Sequence, residues 1–160
     1  MKKILVVVLV LFTLTITQAQ ESPKTIPSFS IIDIDGNVFT NEDMSSKTSS
    51  YIVYFNPDCG HCEQAFQKLN KEVEVLKLRK VTFYAVAANS KEKTEAFFND
   101  IAPEVLKLKN LKILLDEDFV FADAFKVGSY PTTYFYDKKG DYVNRFEGAD
   151  DVLEPIVNLK

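Results

Sequence analysis

Apolar positions in this chain fall into short runs and one-sided stripes, and their spacing sets out an order of elements. Phe29 to Ile34 reads as a strand, Asp35-Gly36-Asn37 as a turn and Val38-Phe39 as a short return strand, which together make a hairpin. Thr40 to Ser50 is polar and loop-like, with room for one helical turn. Tyr51-Ile52-Val53-Tyr54-Phe55 is an unbroken run of aromatic and β-branched residues that stops at Asn56-Pro57-Asp58, the pattern of a central buried strand. Ala65, Phe66, Leu69, Val73 and Leu76 then recur at helical spacing and predict a helix with one apolar face. Val81 to Ala87 is a second strand, and Ser90 is placed to cap a helix running to Asn99 with Ala96, Phe97 and Phe98 toward the core. Pro103 to Asn110 reads as helical and Leu111 to Leu115 as a strand. Asp118 to Phe125 reads as a short helix ending near Gly128. Thr132 to Tyr136, a turn at Lys138-Lys139-Gly140-Asp141 and Tyr142 to Phe146 form a second hairpin. Asp150 to Leu159 closes the chain as a helix, with Pro155 an awkward residue inside it.

Strand–helix–strand units give parallel pairs with right-handed crossovers, and the last hairpin adds an antiparallel edge. The expected class is α/β: a mixed central sheet, helices on both faces and an N-terminal β-hairpin extension. The sequence contains no internal repeat and no low-complexity segment.

The first residues stand outside this pattern. Met1-Lys2-Lys3 is a positive start, Ile4 to Ile16 is an apolar run broken only by Thr13 and Thr15, and Thr17-Gln18-Ala19 supplies the small residues of a cleavage site. That is the form of a secretory signal peptide over 1–19, followed by a flexible leader over 20–26 and one domain over 27–160. The run is shorter than the ~20 residues a membrane-spanning helix needs. The rival is an uncleaved anchor, which would bring the chain into contact with the membrane. A periplasmic or otherwise exported protein is expected. Loss of Lys2 and Lys3 with the leader takes the net charge two units below the −4 of the whole chain. An acidic domain without a basic cluster is not expected to bind nucleic acid, nor to offer a polybasic surface to anionic lipid.

The chain has two cysteines, both in Cys59-Gly60-His61-Cys62. Export places them where disulfides persist. A disulfide closing so small a loop stabilises a fold less than one joining distant segments, so the spacing points to redox chemistry. Cys59 lies at the expected helix start, where unpaired N–H groups and the helix dipole favour an anion. Cys62 falls one turn further on the same face, as a less exposed resolving thiol. His61, the only histidine, can donate to the Cys59 thiolate or charge against it. Its bland alternative is an exposed residue of no consequence. Asp58 would oppose the thiolate if the two face each other; otherwise it points to solvent or caps the helix. Glu63 complements the helix dipole. Structural zinc usually needs four ligands at separated positions, and two cysteines flanking one histidine do not supply them. No metal or cofactor is called for.

Phe55-Asn56-Pro57-Asp58-Cys59-Gly60-His61-Cys62, on a strand-to-helix turn, resembles the active site of the thioredoxin superfamily. Val127-Gly128-Ser129-Tyr130-Pro131-Thr132-Thr133-Tyr134-Phe135 resembles its cis-proline segment, and the Phe29 to Phe39 hairpin resembles the exported branch typified by TlpA and ResA. The resemblance runs from about Pro27 to the C-terminus and implies a thioredoxin fold. It implies that Cys59 attacks, Cys62 resolves, and Pro131 is cis and packed beside the sulfurs. Ser129, Tyr130 and Pro131 would form the substrate-binding segment, with Tyr130 offering backbone hydrogen bonds to an extended chain. Three positions depart from the pattern. The Trp that commonly precedes the first cysteine is Asp58, the buried acid of thioredoxins falls at Val53, and the Glu of ResA-like members falls at Ala65. The two acids that usually help deprotonate the resolving thiol are therefore absent. Cys-Gly-His-Cys itself is the form found in protein disulfide isomerases.

The expected function is a thiol–disulfide oxidoreductase whose partners are protein thiols and disulfides in the exported compartment and a redox protein that recycles the dithiol. The alternative is a non-catalytic module that holds extended peptide segments across Tyr130-Pro131. A peroxidase would want an Arg beside the thiolate, and none lies near Cys59 in sequence.

Overall fold

The computed structural model describes residues 22–157; the expected signal peptide, the first two residues of the expected leader and the end of the expected C-terminal helix lie outside them. Seven strands form one mixed sheet: β1 (Ser30–Asp33), β2 (Val38–Thr40), β3 (Ser49–Phe55), β4 (Val81–Ala87), β5 (Leu111–Leu115), β6 (Thr132–Tyr136) and β7 (Tyr142–Glu147). Their spatial order is β2-β1-β5-β4-β3-β6-β7. β3 runs parallel to β4 and β4 to β5, and the remaining pairs are antiparallel. The helices are α1 (Gly60–Lys71), α2 (Val73–Leu78), α3 (Lys91–Ile101), α4 (Pro103–Leu106), α5 (Val120–Phe125) and α6 (Glu154–Val157), with a single 3₁₀ turn at Asn41–Asp43.

The three parallel strands are buried on both faces, which is why they read as continuous apolar runs. Tyr51, Val53 and Phe55 of β3 point into a core with α1, α2, α3, α4 and α6. Ile52 and Tyr54 point the other way, into a core with α5, Phe29 and the N-terminal hairpin. Phe66 is the centre of the first core, its ring centroid 4.5 Å from Phe55, 5.2 Å from Phe97 and 5.4 Å from Phe98. The hairpin turn is held by Asp33, whose Oδ1 accepts the N–H of Asp35 and of Asn37 at 2.9 Å each, while Gly36 takes the left-handed φ of +86°.

Several expected elements change form. The apolar stripe from Ala65 to Leu76 is carried by two helices, because the chain breaks at Glu72 (φ −101°, ψ 26°); the stripe continues across the break, with Val73 and Leu76 buried. In α3, Phe97 and Phe98 face the core but Ala96 is exposed, and Thr94 takes the inner position, its hydroxyl donating to Ser90 O at 2.8 Å. Ser90 is the N-cap residue and makes no side-chain cap bond. α5 starts at Val120 and ends at Phe125, where Lys126, not Gly128, adopts the left-handed conformation and closes the helix with bonds to Ala122 and Asp123. Among the described residues the last helix begins at Glu154, not Asp150, and runs to Val157, with Pro155 in its first turn, where its missing N–H costs no helical bond.

Candidate active site

β3 delivers the dithiol. Phe55 ends the strand, Asn56-Pro57-Asp58 turns the chain, and Cys59 is the N-cap residue of α1 with extended backbone (φ −105°, ψ 117°). Asn56 holds the turn together. Its carbonyl accepts the Cys59 N–H at 3.0 Å, its Oδ1 accepts the Asp58 N–H at 2.9 Å, and its own N–H points at Cys62 Sγ at 3.5 Å. Both cysteines are unbonded thiols; Cys59 is half-buried and Cys62 is fully buried. Burial pushes the Cys62 thiol far up from its ordinary range; the Asn56 amide offsets part of this, and the neighbouring Cys59 adds to it. Val53 and Ala65, the two positions at which the family resemblance implies an acid, are both completely buried.

The Tyr130–Pro131 peptide is cis. The segment lies against the dithiol: Cys59 Sγ donates to Tyr130 O at 3.9 Å. The segment is stitched to the C-terminal hairpin. Gly148 N–H donates to Pro131 O at 2.9 Å, Ser129 Oγ to Glu147 Oε2 at 2.7 Å, and Thr132 Oγ1 to Ser129 O at 2.7 Å. Cys59, Cys62, Tyr130 and Pro131 thus meet at one place, with Ser129 directed to Glu147 behind them.

His61 is exposed at the start of α1, and its charge reaches Asp150, whose carboxyl is lowered chiefly by Lys68 and in a smaller part by this imidazole. Among the described residues no hydrogen bond joins His61 to Cys59. Asp58 neither caps α1 nor stands free: it is ion-paired with Lys93 on α3 and accepts Asn89 Nδ2 at 3.1 Å. The Lys93 hydrogen bond, set against slight desolvation and helped by Asn89, holds the Asp58 carboxyl below the usual range. Glu63 accepts Gln67 Nε2 at 3.0 Å along the helix. Arg79 donates to Val157 O, while Arg145 pairs with Glu147 and lies over the Tyr134 ring.

The sequence reading missed Tyr54 and Asp116. Asp116, at the end of β5, is a buried carboxylate that accepts the N–H of Phe121 at 2.9 Å and of Ala122 at 3.0 Å, capping α5 from outside the helix. Its Oδ2 also accepts the Tyr54 hydroxyl at 2.8 Å. The Tyr54 ring is sandwiched between Phe121 and Tyr130, with centroids at 5.8 and 5.7 Å. Burial, then the Asp116 charge, pushes the Tyr54 phenol far up, so it stays a donor. An Asp five residues ahead of a helical Phe-Ala pair was the one available signal.

The chain matches the model of the AhpC/TSA family over residues 23–143. No curated protein matches it. Solved structures share its fold. The thioredoxin domain of a thiol-disulfide oxidoreductase from Bacteroides vulgatus superposes with a TM-score of 0.68 at 17% identity, covering 86% of this chain and 96% of that one. A secreted disulfide oxidoreductase of Mycobacterium tuberculosis, homologous to E. coli DsbE, gives 0.64 at 18% identity, covering 82% and 96%. StoA from Bacillus subtilis gives 0.61 at 14%, covering 82% and 96%.

Proposed function

Because this chain belongs to the AhpC/TSA family, we propose that it is an exported thiol–disulfide oxidoreductase working through Cys59 and Cys62. The observation that carries the reading is the pair of thiols at the mouth of α1, one accessible and one buried, with the carbonyl of Tyr130 set against the accessible sulfur. A structural cross-link or a peptide-holding module needs no such asymmetry.

In the reductive direction the Cys59 thiolate attacks a substrate disulfide, forming a Cys59–substrate disulfide and expelling one substrate thiolate. Cys62 then gives up its proton, which the expelled thiolate can take, and its sulfur attacks Cys59 Sγ. The second substrate thiol leaves, the substrate has gained two electrons, and Cys59 and Cys62 are joined. A reduced dithiol partner restores them; with an oxidised partner the same steps run in reverse. α1 supplies N–H groups and its dipole to the Cys59 sulfur. His61 stands at the exposed rim, where a positive imidazole would favour the thiolate. The segment Ser129-Tyr130-Pro131 would hold an extended substrate chain by backbone hydrogen bonds. The placement of Arg145 on Glu147 and Tyr134, and of Arg79 on Val157, favours dithiol exchange over peroxide reduction.

Reduction of insulin by the purified protein with dithiothreitol tests the reading. Turnover that disappears in Cys59→Ala is expected. No turnover, with Cys59 inert to alkylation, would instead support the module that merely holds peptides.

A further inference from the structure

We propose that the end of the domain opposite Cys59 is a docking face for an anionic lipid surface, so that the bound protein carries its dithiol away from the membrane.

Two short basic stretches far apart in sequence, Lys77-Leu78-Arg79-Lys80 and Lys107-Leu108-Lys109, converge there. They meet because they immediately precede β4 and the Asn110–Leu111 start of β5, which pair in parallel with Phe83 opposite Leu111. Lys77, Arg79, Lys107 and Lys109 line one cleft of about 380 Å³. Glu74 and Glu104 pair locally with Lys77 and Lys107, three residues along each. Among the described residues, Lys80 and Lys109 form no ion pair. The cleft therefore gathers four cations, Lys77 and Lys107 ion-paired and Arg79 bonded to Val157 O, on a chain whose net charge is −4. The sequence gives no sign of a polybasic surface because no single run is long; pairing of the strands makes one.

Two observations choose lipid over a soluble anion or an acidic protein. Leu78 is 82% exposed between Lys77 and Arg79, and Leu106 is 40% exposed beside Lys107. Apolar side chains flanked by cations suit an interface where hydrocarbon lies under anionic headgroups. Residues 23–26 also meet the domain at this end. Pro23 O accepts the Tyr136 hydroxyl, Lys24 O accepts the Tyr142 N–H and Ile26 N–H donates to Gly140 O, all at the β6–β7 turn. That turn is level with the start of β3, since Tyr136 lies opposite Ser50 and Ser50 opposite Thr82. It carries Lys138 and Lys139 beside two acids, the exposed Asp141 and Asp137, whose Oδ1 accepts the N–H groups of Lys139 and Asp141. Residues 23–26 thus lie at the end that carries the cations. Cys59 follows the opposite end of the seven-residue β3, roughly 20 Å along the strand at ~3.3 Å per residue.

The chain has no tryptophan, so one introduced residue reports its own surroundings. In the full chain, the Leu78→Trp probe should shift to the blue and be quenched by brominated lipid on vesicles of phosphatidylcholine with about one-third phosphatidylglycerol. It should not respond on phosphatidylcholine alone. Salt at about 0.5 M should reverse the response, since the Debye length shrinks to a few ångströms. Lys80→Glu with Lys109→Glu should weaken it about tenfold or more. A Phe119→Trp probe, at the dithiol end, should stay unresponsive. Far-UV circular dichroism checks that each variant folds. Four outcomes would overturn the proposal: an equal response on neutral vesicles, a response that survives the charge reversal, an equal response from Phe119→Trp, or a Leu78→Trp response to poly-glutamate but not to vesicles. Insulin reduction is read separately, so failure of docking leaves the dithiol assignment standing, and the converse.

Discussion

The Tyr54 hydroxyl donates to Asp116 Oδ2 at 2.8 Å, and through it the segment beside Cys59 is tied to a helix cap on the far face of the sheet. Asp116 fixes the Tyr54 phenol, the Tyr54 ring stacks on Tyr130, and the Tyr130 carbonyl accepts Cys59 Sγ. Tyr54→Phe keeps the stack and removes one hydrogen bond to a buried carboxylate, which should cost about 1.5–3 kcal/mol. Asp116→Ala also uncaps α5 and strands the phenol, so the loss should reach roughly 2–4 kcal/mol. Urea unfolding checks both values. Because the ring stack survives in Tyr54→Phe, its insulin reduction should remain within about threefold of the parent; a complete loss of turnover would mean that the phenol acts in the chemistry itself.

Removal of the buried sulfur should separate the two thiols by role. With Cys62→Ala, the Cys59–substrate disulfide has no internal nucleophile to release it, so covalent complexes should accumulate and be seen on non-reducing gels. With Cys59→Ala, Cys62 is fully buried and held by the Asn56 N–H, so complexes should not form. Accumulation through Cys62 would reverse the assignment.

Much of this site could be read from the sequence, and what could not has a common cause. The strand Tyr51–Phe55 and the helix after it depend on local pattern, the cis peptide before Thr132 is what the family resemblance implies, and the structure carries all three. Glu72 interrupts the apolar stripe without disturbing its phase, so spacing alone cannot reveal the break. Ala96 and Thr94 exchange the places their polarity suggests, because the Thr94 hydroxyl satisfies itself on Ser90 O within its own helix. Asp58 with Lys93, and Tyr54 with Asp116, are contacts between residues 35 and 62 apart. Such partners are set by how elements pack, which no run of residues displays.

The Asp58–Lys93 pair should control which charges approach Cys59. Both side chains are more than half exposed, so the pair adds little to stability. Its effect is local: with Lys93 present, the carboxylate one residue before the nucleophile is balanced. Lys93→Ala should slow alkylation of Cys59 by anionic iodoacetate about two- to fivefold more than by neutral iodoacetamide, with the gap closing as salt rises. Lys93→Arg should restore the parent ratio. Equal slowing of both reagents would point to a structural effect of the substitution and not to charge.

The buried resolving thiol sets the pH dependence. Burial favours neutral Cys62, and no acid stands at Val53 or Ala65 to take its proton. Below the raised folded value the Cys62 thiolate fraction grows about tenfold per pH unit, so release of a preformed Cys59–substrate disulfide should accelerate steeply between about pH 6 and 9. The same shift bears on stability. A thiol raised on folding favours the folded state fully at pH values below its unfolded value of about 8.5, and this contribution is lost as pH climbs from there toward the folded value. Melting of the reduced protein should therefore move down between about pH 8 and 9.5, and less so in Cys62→Ala. A release rate that stays flat across that range would show that another group accepts the proton, and would remove burial of Cys62 as the control on resolution.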